Sequence, residues 1–279
     1  MTDTLRKDHA RPGLAPRPLG PRAIGRVNWI GVWTLYLKEV RRFLKVATQT
    51  VAAPMVTTLL FLSVFFLALG SQAGMVGGVP YLEFLAPGLI MMAVAQNAFA
   101  NTSSSVVIGK VQGNIIDILM PPLAPGEITF ALVAGGITRG LLVGTATAIA
   151  MSLVVPLRLP HPGFALYHLL AASMMLALLG VLGGMWAEKF DHLAAVTNFV
   201  VTPLAFLSGT FYSVERLPSG WWVVAHGNPF FYMIDGFRYG FIDHADGNLA
   251  AGIAVLATVN VGLWWLTAHL FRIGYKLKA

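Results

Sequence analysis

The chain has 279 residues, is 56% hydrophobic and only 11% charged, and carries a formal net charge of +7. Its mean hydropathy is +0.70. A soluble domain is roughly 25% charged, so a large soluble core is excluded, and the absence of cysteine excludes disulfides, thiolate metal sites and cysteine nucleophiles.

Residues 1–27 are rich in Pro, Arg and Gly without periodicity and read as a disordered cytoplasmic tail. No cleavable signal peptide is visible, because residues 1–46 are too long, too basic and too Pro-rich before the first apolar run. Beside apolar spans, such a basic arm fits anionic membrane lipid better than nucleic acid. Over residues 28–46, Trp29, Ile30, Trp33, Leu37, Val40 and Leu44 recur at helical spacing. Lys38, Arg41, Arg42 and Lys45 supply a basic side, and Glu39 belongs to the same helix. This is expected to be an amphipathic helix in the membrane interface, its charge toward lipid headgroups.

Crossing the hydrocarbon takes roughly 20 apolar residues. Six stretches qualify: Ala47–Leu69, Phe84–Ile108, Ile137–Val155, Phe164–Ala187, Leu193–Phe211 and Leu249–Phe271. With the amino terminus inside, sixteen basic residues fall on the inner side, among them Arg139 at the base of the third span. Three fall outside: Arg158, Arg216 and Arg238. The asymmetry predicts that both termini are cytoplasmic, residues 272–279 forming a short inner tail. Two connections are too long for turns. Residues 110–136 hold a short segment, Val111–Met120, before Pro121, Pro122 and Pro125. Residues 212–248 hold Tyr212, Trp221, Trp222, Pro229, Phe231 and Arg238 among other aromatics, and are expected to form short half-inserted helices at the outer interface.

The chemistry-bearing motifs are few. A phosphate loop is missing: Gly109-Lys110-Val111 lacks both the upstream glycine and the hydroxyl. Any ATP and its Mg therefore belong to another chain, and no cofactor or metal site is expected here. Buried acid or histidine relays of the ion-coupled kind are nearly absent from the span interiors, which disfavours an ion-coupled transporter or channel acting alone. Ser208-Gly209 lacks the preceding glycine of a nucleophile turn, and His161, His168, His226 and His244 lie in or beside outer loops, so no catalytic residue is expected. Gly136, Gly140, Gly144, Ala148 and Ser152 form a small-residue stripe, as do Gly180 and Gly184; packing within the chain is the first reading. Asn97, Asn101, Ser104 and Ser105 share a helix face. Asn198 and Thr202 precede Pro203, which should kink its span. Asn97, Asn101, Ser105, Asn198, Thr202 and Phe206 are the candidate lining of a translocation path, with hydrogen bonding between helices as the alternative.

Three stretches, taken with the span pattern, resemble the membrane subunits of type 2 ATP-binding-cassette (ABC) exporters. They are Tyr81–Met92, Asn114–Leu123 and the run from Pro203 to Ser213 that continues through Trp221 and Pro229 to Gly240. The chain is similar in particular to bacterial inner-membrane YadH-type permeases, and more distantly to nodulation-factor and drug-export permeases. The resemblance implies an all-α fold of six transmembrane helices over residues 28–271, with an amino-terminal interface helix and outer re-entrant helices. It implies a homodimer in the inner membrane, working with two copies of an ABC ATP-binding subunit that binds ATP and Mg. It also implies export of an amphiphilic substrate: a lipid, a glycolipid or oligosaccharide, or a hydrophobic drug. On it, Trp29–Lys45 is similar to the connecting helix. Gln112–Met120 is similar to the coupling helix, with Gln112, Asn114, Ile115, Asp117, Ile118 and Leu119 as ATPase-coupling residues. Residues 1–27 match nothing in the family pattern.

Overall fold

The structure, a computed structural model, describes residues 25–69 and 74–277; the expected tail lies outside the described residues up to residue 24. Helix α1 (Trp29–Leu44) starts at Asn28, whose Oδ1 accepts from Gly31 N at 3.0 Å. The first span follows as a π-helical turn, Thr48–Ala52, running into α2 (Ala53–Leu69). A two-stranded hairpin, Met75–Val76 with Val79–Pro80, leads to α3 (Tyr81–Val111). Next come the short α4 (Ile116–Leu119), then α5 (Pro125–Ser152) and α6 (Pro162–Trp186). The fifth span is α7 (Phe190–Val196), a π turn (Thr197–Val201) and α8 (Thr202–Leu207). A 3-10 turn (Val214–Arg216), α9 (Ser219–His226) and α10 (Pro229–Ile242) precede α11 (Leu249–Ile273).

Six helices are long and apolar enough to cross a membrane, as expected. The largest boundary error is in the third span, which begins at Pro125 rather than Ile137. Pro125 suits a first helical position, and Glu127 turns back to accept from Ala124 N at 2.6 Å, so the apolar run Ile128–Gly136 belongs to the helix and not to the connection before it. Glu127 also accepts from Asn28 N at 2.7 Å, which pins the start of α1 to the start of α5. The kink expected at Pro203 takes the form of the π turn just before it, and a second π turn stands just before Pro54. Proline has no N–H to offer the preceding turn, and a widened turn absorbs the missing bond.

The spans are not equivalent. In α3, 83% of the apolar window is buried, against 11% in the first span and 17% in the fifth and in α11, so α3 is the central post and those three are peripheral. The glycine stripes explain how α3 is held. A Cβ at Gly136 would stand 2.7 Å from Ala177 Cβ and 2.8 Å from Thr102 Cγ2. One at Gly180 would strike Thr102 Oγ1 and lie 2.5 Å from Phe99 O, and one at Gly184 would lie 2.9 Å from Ser103 O. Both stripes therefore pack within the chain, and Thr102 donates across the seam to Ala177 O at 2.7 Å.

Gly180→Ala should force α6 away from α3 and cost about 1–3 kcal/mol of stability. Gly262→Ala, where a Cβ meets nothing within 4 Å on α11, should leave the melting temperature unchanged or slightly higher. Thermal melting of the detergent-solubilised protein, followed by size exclusion, separates the two.

Candidate functional site

Polar groups gather on the side of α3 that faces away from the glycine grooves. Helix α1 buries Val32, Leu35, Glu39 and Phe43 and exposes Trp29 and Trp33. Its indole rings are thus left uncovered by the rest of the chain, and Lys38 and Arg41 are exposed as well. Arg42 departs from the expected headgroup-facing side and turns inward together with Glu39. Glu39 is fully buried; its Oε2 pairs with Arg42 at 3.0 Å and its Oε1 accepts from Ser105 Oγ at 2.7 Å. Arg42 also donates to Asn101 O at 2.6 Å, Asn101 Oδ1 at 3.0 Å and Ser104 Oγ at 3.1 Å. An ion pair out of water persists when both partners are further hydrogen-bonded, which α3 provides. Asn101 and Ser105 are thus the socket of α1, and the hydrogen-bonding alternative holds for them.

One helical turn along α3, Asn97 does something else. Its Nδ2 donates to Ala93 O at 3.0 Å, which leaves Oδ1 to accept from Arg139 Nη2 at 2.9 Å. Arg139 is not at the base of a span. With α5 starting at Pro125 and ending at Ser152, a rise of 1.5 Å per residue puts Arg139 about 20 Å from either end. Arg139 and Asn97 line a cavity of about 580 Å³ together with Gln49, Thr57, Gln96, Thr202 and Phe206. Of the expected path residues, Asn97, Thr202 and Phe206 come together here, while Asn198 faces outward on the fifth span. Sequence reading missed Arg139 because the apolar run Ile128–Gly136 was counted with the connection before its span, and missed Gln49 because it stands among threonines at the end of the first span, where nothing in the spacing marks it.

At the α4 end, the expected coupling helix forms only a four-residue turn. Gly113, at φ +73°, reverses the chain after α3, and Ile115 N donates to Gly109 O at 2.8 Å. Ile115 and Ile118 are buried and anchor the turn on its own domain, each also reaching the wall of a flanking groove. Gln112, Asn114, Ile116, Asp117 and Met120 are exposed, with Leu119 half-buried. Grooves flank the turn. One of about 710 Å³ is lined by Val111, Ile116, Leu119 and Leu277 with Lys110 and Glu188. The other, of about 510 Å³, runs between α4 and the Lys38–Arg42 turn of α1 and includes Gln112, Asn114 and Asp117. Lys110 closes the end of α6 by donating to Met185 O at 2.7 Å and Ala187 O at 2.6 Å. Lys276 lies 3.3 Å from Glu188 and, by hydrogen bond and charge, holds that carboxyl below its ordinary range.

At the opposite end, α9 and α10 form the expected short helices. Trp221 is exposed on α9, and Tyr212 Oη donates to Leu207 O at 3.1 Å. Pro229 opens α10, capped by Asn228. Arg238, on the connection between the fifth and sixth spans, is buried within the protein. It donates to Gly209 O at 2.6 Å and Phe84 O at 3.2 Å, and its guanidinium lies 3.8 Å over the Phe84 ring. One turn before it, Asp235 accepts from the backbone of Asp246 and Gly247 at 2.7 and 3.0 Å, and burial pushes its carboxyl up. Arg238 and Asp235 therefore tie α10 to α3 and to the loop before α11. Glu215, His244 and Asp246 bring ligating atoms within 4.8 Å. Both Asp246 oxygens already accept, from His244 and from Val214 N, so the group joins that loop to the 3-10 turn. His168 is also buried rather than beside a loop: its Nδ1 donates to Phe164 O at 2.8 Å, and its ring fills the space left by Gly236.

Comparison with known proteins gives a consistent result. Residues 31–242 match the family described as ABC-2 type transporter. The chain is 36% identical to the inner membrane transport permease YadH of Escherichia coli K12, over 90% of this chain and 98% of that protein. It is 26% identical to nodulation protein J of Rhizobium leguminosarum bv. viciae, over 89% of this chain and 95% of that one.

Removing either partner of the Glu39–Arg42 pair should destabilise the protein by about 3 kcal/mol, since a charge is left alone in the interior. The double variant Glu39→Ala/Arg42→Ala should lose less than the two single losses added together. Equal losses in a melting-based double-mutant cycle would show that the pair contributes no coupling.

Proposed function

The chain belongs to the ABC-2 type transporter family and is a multi-pass transport permease, and from that premise we propose that it is the membrane half of an ATP-driven exporter. In this reading residues 28–271 are the transport domain, and residues 1–27 and 272–279 are cytoplasmic tails. Two copies of the chain work in the bacterial inner membrane with two copies of an ABC ATP-binding subunit, which binds ATP and Mg and does the hydrolysis. The permease itself performs no catalysis. The relative named as an inner membrane transport permease supports the location, and the concentration of basic residues at one end supports cytoplasmic termini.

The observation that carries the proposal is the α4 turn. Its inner side is pinned by Ile115 and Ile118, and its outer side offers Ile116 at 54% exposure, Met120 at 76%, and Asp117. Apolar side chains exposed beyond the spans call for a protein partner. A rigid projection between two grooves can transmit a push from such a partner into α3 and, through the Lys38–Arg42 turn, into α1. The mid-depth cavity then serves as the substrate chamber, and its mixed lining suits an amphiphile. Because the cavity lies between the first and fifth spans, a second copy facing that side would complete the path. An ion-coupled transporter would need a free acid on that path, and Glu39 is already held by Arg42 and Ser105.

Asp117→Arg and Ile116→Asp should abolish capture of the ATP-binding subunit by the tagged permease while leaving membrane insertion and melting temperature intact. Ile118→Ala should instead lower the melting temperature, by about 2–4 kcal/mol in stability. Undiminished capture by both outward variants would remove α4 from the docking surface.

A further inference from the structure

The charges at mid-depth do not balance. Glu39 carries one negative charge, shared between Arg42 at 3.0 Å and Lys38 at 3.8 Å. Arg139 pairs with no carboxylate among the described residues. It makes one hydrogen bond, from Nη2 to Asn97 Oδ1, and its buried Nε has no partner. Asn97 cannot do more, because its amide orientation is fixed by Ala93 O. A guanidinium carries five donors in a planar fork, so most of this capacity is unused. A charge at the centre of a membrane protein is costly, and where it persists it faces a functional cavity and a counter-charge. Here it faces a cavity of about 580 Å³, with the side chains of Gln49, Gln96 and Thr202 within the same wall and Phe61 and Met92 as its apolar part.

We infer that this cavity binds an amphiphile whose head is an oxyanion, the phosphate, carboxylate or sulfate serving as the missing counter-ion of Arg139. The fork of Arg139 takes the oxyanion, the amides and hydroxyls take its remaining oxygens, and Phe61, Met92 and Phe206 take the start of an apolar tail. The inference rests on the permease reading and adds the substrate class to it. Lipid phosphates and free acidic surfactants share this chemistry, and chain-matched probes separate the head from the tail.

The test uses the full chain in neutral detergent, with dodecyl phosphate, octaethylene glycol monododecyl ether and dodecyltrimethylammonium as probes of one tail length. Dodecyl phosphate should bind at least about tenfold more tightly than the other two, the size expected for one charge-assisted pair. Arg139→Gln should reduce that preference to within about threefold, and Arg139→Lys should keep part of it. Gln96→Glu leaves Arg139 in place but supplies a competing carboxylate, and should also erase the preference. If Arg139→Gln fails to fold, as judged by size exclusion, Gln96→Glu decides alone. No preference in the unaltered protein overturns the inference, as does a full preference that survives in folded Arg139→Gln or Gln96→Glu, since the anion would then sit elsewhere, on the basic amino-terminal arm for instance. Capture of the ATP-binding subunit through α4 is a separate measurement. Anion preference without capture would sink the exporter reading and leave the site, and capture without anion preference would do the reverse.

Discussion

The packing of α3 into the glycine grooves of α5 and α6 is the constraint on which the rest depends. Inside a bilayer there is little hydrophobic force to press helices together, so close backbone contact and interhelical hydrogen bonds must do it. Gly136, Gly180 and Gly184 let Phe99, Thr102 and Ser103 approach to within van der Waals contact. Once those residues are fixed on one side of α3, helical geometry fixes Asn97, Asn101 and Ser105 on the other. The polar side then has to be satisfied by protein, because lipid offers no hydrogen bonds. Glu39 and Arg42 meet that demand at Asn101 and Ser105, and Arg139 meets it at Asn97. The site is thus a consequence of how small the residues are on the opposite face.

The two ends of the post are treated differently. At the α10 end, Arg238 has its guanidinium over Phe84 and its donors on Gly209 and Phe84 carbonyls, with Asp235 one turn before it holding the loop at Asp246. That end is locked by a buried charge with several partners. At the α4 end, the turn is held by Ile115, Ile118 and the half-buried Leu119 against the core and by the backbone bond from Ile115 N to Gly109 O, and the polar and apolar side chains beyond them point outward. A surface held from behind and unsatisfied in front is what an attached partner requires, whereas a surface satisfied all round is a closure.

Much of this was legible in the sequence, for physical reasons that differ by element. The spans were legible because twenty apolar residues in a row have few other uses, and the glycine stripes because their four-residue period matches a helix face. The shared face of Asn97, Asn101 and Ser105 was legible on the same ground. What could not be read was partnership across the fold. Glu39 and Arg42 lie on a helix with Lys38, Arg41 and Lys45, and nothing in their spacing says that two of the five turn inward; only the position of Ser105 and Asn101 decides it. Arg238 was placed outside because arginine among aromatics at a loop suggests an interface, while the carbonyls that bury it come from Phe84 and Gly209, far away in sequence. Arg139 was misplaced by a boundary: the apolar run Ile128–Gly136 follows directly on Pro121, Pro122 and Pro125 and was counted with that connection, although Glu127 and Asn28 hold it as the first turns of α5.

The cavity also differs from its frame in backbone construction. Its α3 and α5 walls are regular helix backed by glycine packing. Two other walls, around Thr50–Pro54 and around Thr202–Phe206, adjoin the π turns that stand before Pro54 and Pro203. A π turn is a place where the hydrogen-bond ladder has already been widened, and such turns recur where function needs a local departure from the helix. The spans that carry them are, with α11, the ones least buried by their own chain, so they lose few contacts by shifting. A chamber that must open to one side and then the other needs fixed donors and movable walls. Arg139 and Asn97 sit on the fixed part, and the two proline-bearing spans supply the rest.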